Sequence, residues 1–213
     1  MGNLGKTRFT RTLSAQLLGL LTLALLPLGL ISLYQTQQVY DEALEANRGS
    51  LMAQTIAAAS GERDLIQEAF GAGETIAAAL EAIPSGQCAA VLERLVVTQP
   101  SFLFAGFIPI DGKMVCSSSG EPYDFSQSSG FADLVERATR FVSFIPDGPI
   151  SKQDVVAVSH PVWKDGKLNG FITISLPHRL ANALMPAPNT SDGLVLATFN
   201  SVGDVVSATR DLE

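Results

Sequence analysis

The chain has 213 residues, 46% of them hydrophobic, and a formal charge of −7. Lys6, Arg8 and Arg11 place three of its positive charges within the first dozen positions, so the remainder is more acidic still. That remainder holds no contiguous basic patch, which excludes a nucleic-acid interface built on phosphate contacts; acidity alone speaks only for solubility and self-repulsion.

Residues 1–12 form a short basic N-terminus. Residues 13–34, LSAQLLGLLTLALLPLGLISLY, carry no charge. A helix of about 22 residues at about 1.5 Å per residue crosses a hydrocarbon core of about 30 Å, so this run is expected to be a transmembrane helix. Pro27 lies inside it, a residue that membrane helices tolerate better than soluble ones, and Tyr34 takes the place of an interfacial aromatic. Basic residues precede the run and Asp41, Glu42 and Glu45 follow it. The positive-inside rule then keeps the N-terminus in the cytoplasm and puts everything after residue 34 outside. A cleaved signal peptide is the rival reading, but it would have a shorter apolar region and a small-x-small site, which Ser32-Leu33-Tyr34-Gln35 does not offer.

Residues 35–83 lack proline until Pro84. Met52, Ile56, Ala59, Ile66, Phe70, Gly73, Ala77 and Leu80 recur mostly in steps of three and four, interrupted once by Arg63, which predicts a long helix continuing out of the membrane. Gly61, Gly71 and Gly73 each weaken it by up to about 1 kcal/mol, so a kink is expected near them. Its stripe suits packing on the following domain, transmission of displacement to the membrane, and pairing with a second copy in a homodimer.

Residues 84–176 read as one module. Ser85 is expected to cap a helix over 87–98, with Val91, Leu92, Leu95 and Val96 inward and Cys88 in its first turn. A strand over 102–110, the turn Asp111-Gly112 and a return over 113–118 that carries Cys116 make a hairpin. Residues 120–128 are polar and turn-rich. Phe131, Leu134, Val135 and Ala138 mark a short helix, 140–145 a strand, and Pro146-Asp147-Gly148-Pro149 a loop. Strands over 154–163 and 168–176 flank a turn at Asp165-Gly166. Five antiparallel strands with a helix between the second and third make an α+β domain, sheet on one side and helices on the other. Residues 177–190 form a helical connector. Residues 191–213, with strands over 194–200 and 205–209, are expected to open a second, similar module that is incomplete at Glu213.

No catalytic constellation emerges. His160 precedes Pro161 in a strand and His178 opens the connector, so both read as structural; a phosphoacceptor histidine belongs on a cytoplasmic helix. No phosphate-binding glycine loop is present, and Ser117, Ser118, Ser119, Ser126, Ser128 and Ser129 read as loop solvation. The two cysteines have no C-x-x-C spacing and lie far from both histidines, so neither a metal nor a cofactor is expected. Outside the membrane the pair Cys88 and Cys116 reads as a disulfide, the alternative being two separately buried thiols. Ligand binding is the remaining chemistry. A pocket between the sheet and its covering loop would use Arg140, Ser143, Asp154, Ser159 and Phe171, with Arg140 clamping a carboxylate; the alternative for each is a strand-end residue facing water or core. Trp163 reads as a rim or packing aromatic.

The order of these pieces, the segment 107–118 (FIPIDGKMVCSS), the segment 155–162 (VVAVSHPV), Asp165-Gly166 and Gly170-Phe171-Ile172 resemble the double Cache (dCache) sensor region of bacterial receptors, a tandem of PAS-like modules outside the membrane. The resemblance covers most of the chain from residue 34 onward. The cysteine pairing is similar to that of sensor regions that precede histidine kinase transmitters. It implies a single-pass protein of the inner membrane whose periplasmic or extracellular module binds a small molecule and signals to a cytoplasmic transmitter, a histidine kinase that would lie beyond these residues. The alternatives are the sensor of a chemoreceptor or cyclic-di-GMP enzyme, an anchored binding or scaffold protein without a transmitter, and an anchored hydrolase, which would need a nucleophile–base pair. The tyrosine, arginine, tryptophan and aspartate pattern of the amino-acid-binding Cache subgroup is not found, which leaves small carboxylates and amines both open as ligands.

Overall fold

The computed structural model describes residues 6–84, 86–184 and 195–209. The chain divides into two compact units, residues 1–54 and 55–213. Helix α1 (Lys6–Ala79) contributes to both.

In the first unit the stretch of α1 over 17–33 is apolar on every side. Leu17 through Leu33 leave their side chains exposed, and the Thr22 and Thr36 hydroxyls donate back to Leu18 O at 2.9 Å and Ser32 O at 2.8 Å. A helix that satisfies its own polar groups and shows hydrocarbon all round is built for an apolar surrounding. Among the described residues it is the one helix long and apolar enough to cross a membrane. Pro27 does not interrupt it.

In the second unit α1 buries a seam of Ala58, Glu62, Leu65, Ala69 and Gly73. The expected stripe is rotated from this: Met52 and Ile56 are exposed, while Ile66, Phe70, Ala77 and Leu80 are flanking residues that pack partly on the core. No break occurs at the glycines. Gly61 and Gly73 are instead points of close approach, where an added methyl would lie 3.2 Å from Leu184 Cβ and 3.2 Å from His160 Cβ respectively. A 3-10 turn, Leu80–Ala82, ends the helix.

Helix α2 (Cys88–Thr98) begins after Gln87, which gives no side-chain cap; Ser85, expected as the cap, lies outside the described residues. Strand β1 (Phe104–Pro109) follows. Asp111-Gly112 turns the chain as expected, with Gly112 at φ +76 and its N–H donating to Pro109 O at 2.8 Å. The return is two strands and not one. β2 (Lys113–Met114) pairs with β4 (Tyr123–Asp124), and β3 (Cys116–Ser117) pairs with β1. The split falls at Val115, whose side chain is 73% exposed while Met114 is fully buried. The polar stretch over 120–128 therefore contains a strand that its turn-rich composition hid.

Helix α3 (Ser129–Arg137) precedes β5 (Phe141–Ile145), β6 (Val155–Lys164) and β7 (Lys167–Pro177). The five-stranded antiparallel sheet has the order β3-β1-β7-β6-β5. Helix α4 (His178–Leu184) and a hairpin of β8 (Ala197–Phe199) and β9 (Val205–Ala208) complete the unit. β9 packs against β5 and α4, and Val206 joins the main core.

The sheet has two unlike faces because side chains alternate along each strand. Val156, Val158, Ile172, Ile174 and Leu176 point toward α1 and α2 and bury with Leu65, Ala69 and Leu92. The other face carries Phe104, Ile108 and Phe171 at one end, packed with Met114, Phe131 and Leu134, and small polar residues elsewhere.

Cys88 and Cys116 are joined by a disulfide, with Cα atoms 5.8 Å apart. It ties the first turn of α2 to the edge strand β3. Closing a loop between residues separated by 28 positions destabilises the unfolded chain by about 3.5 kcal/mol in the chain-entropy account. Reduction is therefore expected to lower the thermal midpoint of the second unit markedly. An unchanged midpoint with and without phosphine reductant would show that the link adds nothing.

Candidate functional site

The polar face of the sheet is the floor of a cavity of about 620 Å³. Cross-strand register builds that floor in rows. Ser143 pairs with Ala157, Ala157 with Ser175, and Ser175 with Phe104; the next row runs Phe141, Ser159, Thr173. Small side chains at these crossings leave room above the sheet, and their hydroxyls supply polar groups in an otherwise apolar wall. Ser159 and Thr173 hydrogen-bond one another at 2.9 Å. Ser175 is buried on the same face and lines the cavity, so a polar group entering the cavity reaches its hydroxyl.

The walls are α3, the segment Tyr123–Ser128 and the loop around Pro146–Ser151, with Asp204 from the β8–β9 turn at the edge. Tyr123 and Phe125 stack at 4.6 Å between centroids. Phe131, Phe141 and Phe144 add further aromatic surface. Arg137, in the last turn of α3, lies over the Phe141 ring, its guanidinium carbon 5.0 Å from the centroid. The carboxylates of Asp124, Asp133 and Asp204 also border the cavity. Hydrogen bonds from the side chain and backbone of Ser126 hold the Asp124 carboxyl below the usual carboxylate range, with nearby Lys113 adding to the effect. Three acids and one guanidinium give the cavity a net negative border.

Of the five residues singled out in the sequence, Ser143 and Ser159 line this cavity. Arg140 does not; its guanidinium carbon lies 5.6 Å from the Phe70 ring of α1. Asp154 is not among the lining residues either. Its carboxylate accepts the Asp147 N–H at 2.9 Å, and with Lys152 N–H donating to Gly148 O at 2.9 Å it fixes the shape of the wall loop. Phe171 is fully buried beneath α3. Sequence reasoning missed Arg137, Thr173 and Ser175. A signal existed for the last two, since they alternate with Ile172, Ile174 and Leu176, the pattern of a strand with one dry and one wet face.

The two histidines stand apart from the cavity. His160 faces α1 beside Gly73, its Nδ1 buried without a hydrogen-bond partner. Burial lowers its pKa, Arg140 pushes the same way and Glu74 opposes them. His178 stacks on Phe144 at 4.4 Å. Among the described residues no group of histidine, cysteine or acidic side chains is placed to hold a metal ion.

No protein-family model matches the sequence, and no curated protein sequence matches it. Solved structures do match in fold. The ligand-binding domain of the Pseudomonas aeruginosa PAO1 amino-acid chemoreceptor PctC, in complex with GABA, superposes with a TM-score of 0.58 over 76% of this chain and 76% of that one, at 16% identity. The sensory domain of the Campylobacter jejuni chemoreceptor Tlp3 with isoleucine bound gives 0.54 over 78% and 73%, also at 16% identity. The fold is that of chemoreceptor sensory domains. The PctB ligand-binding domain of P. aeruginosa PAO1, in complex with L-Arg, agrees, with a TM-score of 0.56 over 72% of this chain and 66% of that one at 15% identity. The α+β architecture expected from the sequence, five antiparallel strands with flanking helices, is the architecture these domains share with this chain.

Proposed function

We propose that the outer unit is the small-molecule-sensing region of a membrane-anchored signal-transduction receptor, held by residues 13–34 with residues 1–12 in the cytoplasm. The observation that carries this reading is the cavity of about 620 Å³ floored by hydroxyls on a sensory-domain fold. Catalysis has less support, because the cavity's hydroxyls face carboxylates and an arginine with neither histidine among its lining residues.

The ligand is a small amine-bearing molecule. Asp124, Asp133 and Asp204 would meet the amino group, the aromatic walls its apolar body, and Arg137, not Arg140, a carboxylate where the ligand has one. The ligands named for the three solved domains, GABA, isoleucine and L-Arg, all carry both an amino group and a carboxylate. The transmitter is either a histidine kinase, which the cysteine arrangement favours, or a chemoreceptor signalling domain, which the solved structures favour.

The test is thermal unfolding of the full chain in detergent with GABA, L-arginine, L-isoleucine, putrescine or succinate. A ligand at a hundred times its Kd adds about 2.7 kcal/mol to the folded state, so an amine-bearing compound is expected to raise the midpoint. Ser143→Trp, which fills the floor, is expected to abolish that rise. Failure of every compound would overturn the sensing reading, and a rise with succinate alone would overturn the amine assignment.

A further inference from the structure

A buried carboxyl in the second unit belongs neither to the cavity nor to the disulfide. Glu62 is 1% exposed, in the seam of α1 between Ala58 and Leu65 where an apolar side chain is the ordinary occupant. A buried carboxyl is costly unless its oxygens are hydrogen-bonded. Here one oxygen, Oε1, accepts from Thr198 Oγ1 at 3.1 Å and from Ser207 Oγ at 2.5 Å. These donors sit on the two strands of a single hairpin, separated from Glu62 by 136 and 145 positions.

The other end of that hairpin reaches the cavity. Asn200 Nδ2 donates to Val142 O, the residue before Ser143 in β5, and to Asp204 Oδ2, both at 3.1 Å. Asn200 Oδ1 accepts the N–H groups of Val202 and Asp204, which stiffens the turn. Asp204 itself borders the cavity.

We propose that the β8–β9 hairpin is a strut that couples the cavity to α1, with Glu62 as its anchor on the helix. Asn200 and Asp204 hold the strut to β5 and the cavity edge; Thr198 and Ser207 hold it to Glu62. Packing alone would seat Val206 without fixing an axial register. Two hydroxyls converging on one oxygen define that register, so a shift of β5 or Asp204 must either move α1 or break these bonds. Any such coupling is reciprocal: loosening either end loosens the other. The proposal does not depend on which molecule the cavity takes.

Amide hydrogen exchange on the full chain in detergent tests it without a ligand. Glu62→Ala is expected to speed exchange of the amides over 197–199 and 205–208, and of β5, by tenfold or more. Glu62→Gln keeps an acceptor oxygen and is expected to retain most of the protection. In the opposite direction Asn200→Ala, which cuts the cavity end only, is expected to speed exchange of α1 amides over 58–66. The paired centre of β6 and β7 is the internal reference and should not change. The strut is overturned if Glu62→Ala leaves the hairpin protected, if it loosens β6 and β7 equally, or if Asn200→Ala leaves α1 untouched. None of these results bears on ligand binding, which the thermal screen decides separately.

Discussion

Gly170→Ala is expected to destabilise the second unit by about 2 to 6 kcal/mol, strain and overpacking together. Gly170 lies in β7, between Pro109 of β1 and Val162 of β6, at φ +155, a backbone conformation that side chains other than glycine's rarely adopt. Holding an alanine there costs about 1–3 kcal/mol in strain. The added Cβ would also stand 2.3 Å from Ile108 O and 2.8 Å from the Pro109 Cα. Those atoms are backbone of the neighbouring strand, so no side-chain rotation relieves the overlap, and overpacking adds about 1–3 kcal/mol. β7 is the central strand of the sheet, so opening the β1–β7 pairing disturbs the cavity floor and the core behind it together. Urea unfolding checks the prediction through a lower midpoint at an unchanged slope. Gly166→Ala is the control. It sits at φ +73 with nothing within 4 Å of an added methyl, so it should cost only about 1 kcal/mol. Equal losses in the two variants would refute the steric argument.

Local chemistry made most of the fold legible in the sequence. The Asp111-Gly112 and Asp165-Gly166 turns, the apolar alternation of 155–163 and 168–176, and the stripe of Phe131 and Leu134 each depend on neighbours within a few positions, and each stands in the structure where periodicity puts it. What escaped depends on distant partners. Glu62 reads as one more polar helix residue until Thr198 and Ser207 arrive from the far end of the chain. Val115 is apolar, yet it is the residue left outside when Met114 and Cys116 go to different partners. In the site, Arg137 and Arg140 are three positions apart with the same chemistry. One ends α3 on the cavity side and the other faces α1, a difference set by where the helix stops, at Ala138 in the left-handed conformation. The hydroxyl floor was half visible: Ser143 and Ser159 were identified, while Thr173 and Ser175 hid between larger apolar residues of β7.

Phe171→Ala is expected to cost about 3–5 kcal/mol of stability, the range for removing a fully buried aromatic side chain. Phe171, a candidate for ligand contact in the sequence, shares the cavity-facing side of β7 with Thr173 and Ser175. It is nevertheless fully buried, paired across to Ile108 and Pro161 and packed with Phe104, Met114, Phe131 and Leu134. Its work is to seat α3, the helix that forms one cavity wall and carries Arg137. Truncation leaves a void under Phe131 and Leu134, so amide exchange in α3 should rise before that of β6. Phe171→Leu refills most of the volume and should recover more than half of the loss. A residue that only touched ligand would behave in the opposite way: its truncation would leave the urea midpoint in place and change only the response to added amines. Unaltered unfolding of Phe171→Ala would therefore return Phe171 to the binding site and remove the apolar support assigned to α3.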